Sequence, residues 1–589
     1  MATANRASRC APDVRLRTWL LLAVLGCAGL AFLILPIPAK AQQKPDLAEQ
    51  SLEDLMNIQV VSVSKKEQSL SRTASATFVI TQEDIRRSGA TSIPDLLRVV
   101  PGIDVAQING NTWAISARGL NDRFSNELLV LLDGRKVYTP TTGGVFWDVF
   151  DVPLEDIKQI EVSLGPGGSV WGANAVNGVI NIITKAASET SGAMVAGGGG
   201  NEQEFGTLQY GARLGKSTDY RLFAKYFDDD PLSQPVTNLN GEDGWHMLRA
   251  GFRSDTKASN KDSLTFEGDI YTGREGLTLG LLPSLSSPSQ TTTDRVNLAG
   301  GFFQTVWHQV QSAGSDTTLQ ASFDRYERDD VLGEDRSTFN IEFQQHLAAA
   351  HRHDVVWGLN YSYSSSTTEG SFPVSLHPPD AVMQLFGVFG QDEIALVQRR
   401  LSATIGGQLD HNPYTGFSLS PSVRLAWTPD ERQTAWMAIA DAVRTPAQTD
   451  VAIRVNLAEV PGPGGIPALV SLFGNPKFNN ETLTAFEAGY RRLLSARLSM
   501  DLAAFYNDYG HQQTSEPGAP FIETSPAPTH LVFPITYQNL MSGEAHGFEA
   551  FGNARITSRW TVSPGYAFER VHMRPYPTSK DTSTAPEVG

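Results

Sequence analysis

From about residue 190 onward the chain alternates apolar and polar residues with a period of two, and this alternation constrains the fold more than any other feature. In "SLTFEGDIY", Leu264, Phe266, Gly268 and Ile270 alternate with Thr265, Glu267, Asp269 and Tyr271. In "RLSMDLAAFY", Leu498, Met500, Leu502, Ala504 and Tyr506 alternate with Ser499, Asp501 and Ala503. Successive side chains on a strand point to opposite faces, so each segment builds a strand with one apolar and one polar face. A soluble β-sandwich meets that pattern as well as a transmembrane β-barrel does. The connections separate the two. Long ones fall at 228–244, 273–294, 365–380, 444 to about 480, and 510–534. Between them lie tight turns such as "GKSTD" (215–219), "VQRR" (397–400), "TPDERQ" (428–433) and "LLSAR" (493–497). A sandwich has no reason to lengthen every second loop, whereas a membrane barrel has short turns at one rim and long loops at the other. The pattern predicts an antiparallel membrane β-barrel with about seventeen strands present.

Residues 42–187 have another texture, that of a compact α+β unit. Helices are predicted at "TQEDIRRSG", capped by Thr81 and stopped by Gly89, and at "SIPDLLRVVPG", capped by Ser92 and ended by Pro101-Gly102. Strands are predicted at 76–81, 113–119, 127–134, 157–165 and 178–184. The segment "VWGANAVNGVINIITK" (170–185) has a buried strand's isoleucines and valines, yet repeats Asn174, Asn177 and Asn181. Taken alone, the segment fits a buried strand whose asparagines are satisfied within the domain.

The net charge of −16 excludes a nucleic-acid partner, since no basic patch accumulates to offset it. Arg6, Arg9, Arg15 and Arg17 precede an apolar run from Trp19 to Pro38, and Ala39-Lys40-Ala41 offers a small-x-small cleavage site. Residues 1–41 are therefore read as a secretory signal peptide; a retained membrane anchor is the alternative. Both cysteines, Cys10 and Cys27, lie in this segment, so thiol chemistry is not expected beyond it. No Ser-His-Asp set, phosphate loop or zinc spacing is present, and His351 and His353 in a predicted turn read as solvated rather than metal-binding. No enzyme activity and no cofactor are expected.

The runs "ATFVITQEDIRRSGATSIPDLLRVVPGIDV", "ISARGLNDRFSNELLVLLDGRKVY" and "IKQIEVSLGPGGSVWGANAVNGVINIITK" together resemble the plug domain of TonB-dependent outer-membrane receptors over residues 58–187. "AVRTPAQTD" (442–450) and "FGNPKFNNETLTAFEAGYR" (473–491) resemble that family's seventh extracellular loop and the following strand. The resemblance implies a nominally 22-stranded barrel with an N-terminal α+β plug in its lumen, in the outer membrane of a Gram-negative cell. It divides the chain into a signal peptide (1–41), an extension with a TonB box (42–64), a plug (65–187) and a barrel (188–589). With about seventeen strands and a polar end, the barrel is expected to be short by roughly five strands, on the order of a hundred residues.

The resemblance further implies import of a ferric siderophore, or alternatively cobalamin, driven by TonB with its ExbB/ExbD complex. The candidate TonB box is an exposed, β-competent stretch: Ile58, Gln59, Val60, Val61 and Ser62. A plug arginine, Arg118, is expected to latch onto barrel glutamates Glu487 and Glu549; alternation places Glu487 on the polar face. Ser163-Leu164 stands where the family carries a second arginine before Gly-Pro-Gly, so a latch with one cation fewer is expected. Substrate-binding candidates are Gln107, Asn109 and Trp113, with Tyr138, Phe146 and Trp147, because amides and aromatics suit a large polar ligand. A porin-like channel or a surface binding protein are the other classes; the first needs no plug.

Overall fold

The computed structural model describes residues 56–232, 241–285, 290–312, 314–349, 352–557 and 560–582. The expected signal peptide, most of the extension before the box, and His351 lie outside them. The largest sheet joins twenty-two strands. Five are short: Val374–Leu376, Ile453–Pro461, Pro467–Phe473, Phe521–Glu523 and Thr561–Val562. The other seventeen form the wall, running from Gly192–Gly199 to Gly565–Pro575 with antiparallel neighbours. Among the described residues no ladder joins these first and last strands. No helix there is long and apolar enough to cross a membrane, which says nothing of a barrel.

The two faces of the wall follow the alternation. Phe266 and Ile270 are exposed on the outside while Glu267 and Asp269 are buried inward. Leu498, Leu502 and Tyr506 are likewise exposed, and Ser499, Asp501 and Asn507 buried. A continuous outer band of such side chains is stable only against lipid, since in water it would forfeit the burial term of about 25 cal/mol per Å².

The long connections are less irregular than expected. Strands Asp262–Leu282 and Gln290–Ser312 take up most of 273–294, and His530–Arg555 runs for twenty-six residues, where about ten suffice to span lipid. These overhanging ends recruit the short strands. Ile453–Pro461 and Pro467–Phe473 form a hairpin that pairs with Val374–Leu376 on one edge and, in parallel, with His530–Arg555 on the other. Backbone that leaves the membrane extended must still find partners, and loop-to-loop ladders supply them.

Inside the wall sits the plug. Its strands are β1 (Gln59–Val60), β2 (Gln68–Ser69), β3 (Ala76–Thr81), β4 (Ile103–Asn109), β5 (Thr112–Ala117), β6 (Leu128–Leu132), β7 (Arg135–Lys136), β8 (Ile157–Leu164) and β9 (Gly178–Thr184). Five make a sheet in the order β3-β8-β9-β6-β7, and β1-β2 and β4-β5 are separate hairpins. Helix α1 (Gln82–Ser88) has the expected capping box, in which Thr81 Oγ1 accepts from the Asp84 amide (3.2 Å), and it stops at Gly89 with φ 72°. Helix α2 (Ile93–Leu97) ends sooner than predicted, because β-branched Val99 and Val100 lead into Pro101, which disfavours helix in the residue before it. The hairpin strand β4 was not anticipated. A third helix, α3 (Gly168–Trp171), precedes the asparagine-rich loop. Plug residues Ile80, Leu97, Ile160 and Ile180 share one buried cluster with wall residues Phe227, Trp245 and Trp436, so plug and wall pack as one core.

Candidate functional site

Two of the three asparagines of 170–185 reach the wall. Asn174 Oδ1 accepts from the Thr445 amide (2.9 Å), and Asn177 Oδ1 accepts from the Tyr509 hydroxyl (2.7 Å). Asn181 is buried within the plug sheet, and its side-chain oxygen has no partner.

Halfway up the lumen the structure brings Arg118, Glu487 and Glu549 together. Arg118 Nε donates to Glu549 Oε1 (2.7 Å) and Nη1 to Glu487 Oε1 (2.5 Å), while the guanidinium lies 4.2 Å from the Phe505 ring centroid. All three side chains are almost fully buried. Burial opposes the Arg118 charge, but Glu549 and then Glu487 outweigh it and hold the guanidinium protonated. Arg118 also adopts φ 56°, a left-handed conformation that a non-glycine residue takes only when its surroundings impose it. Glu487 packs so tightly on the Gly165-Pro166-Gly167 turn that a Cβ at Gly165 would collide with its carboxylate.

The cation expected to be missing from the plug has a counterpart in the wall. Arg424 donates to the carbonyls of Pro166 (3.2 Å) and Val63 (3.3 Å), so it ties the Gly-Pro-Gly turn to the chain that follows the candidate box. No local pattern in the sequence marks this contact.

The candidate box is seated rather than exposed, which corrects the sequence reading. Of its residues only Gln59 is exposed; Val60 and Ser62 are buried, and Ile58 and Val61 are half-buried. β1 already uses its edge on β2, through Gln59 opposite Ser69 and Val60 opposite Gln68. Glu161 Oε2 accepts the amides of Val61 (3.0 Å) and Ser62 (2.8 Å), and Trp171 Nε1 donates to the Ser62 carbonyl (2.6 Å). Burial raises the Glu161 carboxyl, although those two amides pull the other way. The next residues are held by the wall. Gln391 and Gln344 donate to the carbonyls of Ser64 and Lys65, Lys65 pairs with Glu342 (2.7 Å), and Lys66 pairs with Asp354 (2.8 Å) and Glu393 (2.7 Å). Burial opposes the Lys66 charge, yet Glu393 and Asp354 together raise it. Trp171 and Asn174 are three residues apart, so one loop touches both the box and the Thr445 end of the wall.

The ligand candidates separate by exposure. Gln107 is exposed. Asn109 Oδ1 turns back to its own hairpin, accepting from the Asn111 amide (3.0 Å), while Asp243 of the wall accepts from the Gly110 amide (2.6 Å). Trp113 is buried edge-on to Trp245 with centroids 6.0 Å apart, and Trp147 is buried too, so both pack between plug and wall. Phe146 stacks on Tyr326 at 5.5 Å under the Arg328 guanidinium, and Tyr138 is half-buried. The loop after Arg118, "NDRFSN" (121–126), was not singled out, yet Asn121 and Asp122 are exposed there; its run of polar residues was the available signal. Next to it Glu127 faces Glu481, Arg444 and Asp122, and desolvation followed by the Glu481 charge pushes its carboxyl from 4.5 up to about 7. Among the described residues no group of acids, histidines or cysteines is placed to hold a metal.

The family description "TonB dependent receptor-like, beta-barrel" matches residues 198–588, and "TonB-dependent Receptor Plug Domain" matches 69–179. The chain belongs to the TonB-dependent receptor family. It is therefore a protein of the Gram-negative outer membrane, in a family of receptors rather than enzymes. Over 529 residues this receptor is 27% identical to the iron-regulated outer membrane virulence protein of Vibrio cholerae serotype O1, covering 86% of this chain and 77% of that one. It is 35% identical to the vitamin B12 transporter BtuB of Vibrio vulnificus over 147 residues, only 25% of this chain and 23% of that one. In fold it is similar to a crystal structure of the ferric enterobactin receptor of Pseudomonas aeruginosa, with a TM-score of 0.66, 17% identity, and coverage of 84% of this chain and 80% of that one.

Proposed function

We propose that this receptor imports a ferric siderophore across the outer membrane by energy-driven movement of its plug. The observation that carries the reading is the lumen itself. The plug is tied to the wall by buried ion pairs and its core is continuous with the wall's, so a solute passes only if part of the plug moves. The outer membrane holds no ATP, so the work must come through a partner that grips the plug from the periplasm, namely TonB with its ExbB/ExbD complex. Ile58, Gln59, Val60, Val61 and Ser62 form the gripped segment, and Arg118, Glu487 and Glu549 the latch. A partner strand can pair with this segment only after β1 leaves β2 and the Glu161 and Trp171 bonds open. The exposed Gln107 and the exposed residues of the loop 121–126 are the ligand-facing groups in this reading.

Iron is favoured because the relative named as iron-regulated aligns along most of both chains, whereas the B12 transporter aligns along about a quarter of each. The test measures accumulation of ferric siderophores labelled with radioactive iron in energised cells, beside labelled cobalamin. Uptake of iron that disappears on deletion of Ile58–Ser62 supports the proposal. Uptake of cobalamin alone, or iron uptake indifferent to the deletion, overturns it.

A further inference from the structure

At the periplasmic mouth, where the tight turns lie, a groove of about 440 Å³ opens between the plug and the wall. That volume falls within the range of small-molecule sites, roughly 300–1,000 Å³. Four arginines converge on it from three separate elements. Arg72 comes from the plug, Arg352 from the turn before wall strand His353–Gly370, and Arg399 and Arg400 from the turn between Asp380–Val397 and Leu401–Asn412. None of the four has an ion-pair partner among the described residues, unlike Arg118 in the lumen. The groove's carboxylates, Asp354 and Glu393, are both engaged by Lys66. Four arginines thus share the groove with two acids, both already paired, in a chain whose overall charge is −16. Arg399 also sits at φ 60°, where glycine or asparagine is the unstrained choice.

We infer that this groove is an exit site for a polyanionic cargo, such as a ferric catecholate chelate, which it holds after passage and before release to the periplasm. Guanidinium groups suit the task because they pair with carboxylate, sulfonate or catecholate oxygens through planar forks. The position suits it as well. Lys66, which holds both of the groove's carboxylates, follows the candidate box by only four residues. Drawing the box outward removes Lys66 from Asp354 and Glu393 and opens the lumen along the wall strands that line the groove. This inference rests on the import reading above for the identity of the cargo.

The test uses the full-length receptor in detergent and pyrenetetrasulfonate, a fluorescent tetra-anion, followed by anisotropy. Binding should occur and should weaken about tenfold or more in Arg399→Gln/Arg400→Gln, and again in Arg72→Gln, as expected when charge-assisted contacts are lost. All these side chains are exposed, so the variants keep the fold. Inorganic phosphate should compete only at far higher concentration than a ferric tris-catecholate. Equal affinity in wild type and variants, or no binding, overturns the site. Loss of probe binding when the receptor is placed in phosphatidylglycerol nanodiscs assigns the arginines to lipid headgroups and overturns it too. In energised cells the same variants should lower the maximal uptake rate of anionic ferric chelates several-fold without changing their surface affinity. If wild-type cells take up no ferric chelate the import reading fails, and the anisotropy still decides whether the groove binds polyanions.

Discussion

In the latch a single arginine answers two buried carboxylates, so its removal is not symmetric with theirs. Arg118→Ala would leave Glu487 and Glu549 uncompensated, and breaking a buried pair in this way costs about 3–5 kcal/mol. The expected result is a plug that unfolds or becomes protease-sensitive at lower urea than wild type, with Arg118→Lys intermediate because it keeps the charge and loses the fork. Glu127 makes a second prediction. Its carboxyl titrates near 7 in the folded protein against 4.5 ordinarily, so the folded state holds the proton more tightly. The contribution is present at acid pH and is lost as pH rises from about 4.5 through 7. Urea titrations of plug unfolding at pH 5 and pH 8 should differ in that sense, and Glu127→Gln should flatten the difference. At this scale Glu487 was legible because alternation put it on the polar face and the family pattern named its partner. Arg424 and Glu161 were not, since their partners lie about a hundred or more residues away and nothing local marks a contact that only the closed wall creates.

Among the elements, the box hairpin and the Gly-Pro-Gly turn bear most on function. Glu161→Ala removes two bonds from amides to a carboxylate, each worth about 1.5–3 kcal/mol. Hydrogen exchange at Val61 and Ser62 should therefore quicken by at least about tenfold, with the exchange of β9 unchanged; unchanged exchange at the two amides would show that Glu161 does not hold the box. Gly165→Ala should be severe for two reasons, a φ of 87° and a side chain driven into Glu487. Loss of plug docking in that variant, read as protease sensitivity, is expected to match or exceed that of Arg118→Ala. The capped helix α1, the strands β3, β8 and β9 and the wall strands were legible because each carries its own period or cap. Strand β4 was hidden although its partner β5 was predicted: most of β4 is exposed, so it presents no buried face to read, and the tip of the hairpin is fixed by Asp243 from the wall as well as by Asn109. The long loops were overdrawn because 273–294 continues the ladder between its own two strands, while the hairpin of 453–473 finds its partners in other loops.

For the whole molecule, the class of fold was readable from period and loop length alone, because a barrel in lipid leaves little choice about which face is apolar. Beyond the latch that the resemblance named, how the plug is held was not readable, because that depends on which plug residue meets which wall strand. The structure answers with a continuous sector, from Lys66 at the periplasmic mouth, through α3 against Ser420 and Ser422, to Asn174 at Thr445. Import of the kind proposed requires this sector to separate. The most direct measurement is ferric siderophore accumulation by energised cells carrying Ser169→Cys and Ser422→Cys, whose hydroxyls lie 2.9 Å apart across the plug–wall boundary. With the disulfide formed, ligand binding at the cell surface should be normal and accumulation absent, and reduction should restore accumulation. Accumulation at the untethered rate with the disulfide intact would contradict that requirement.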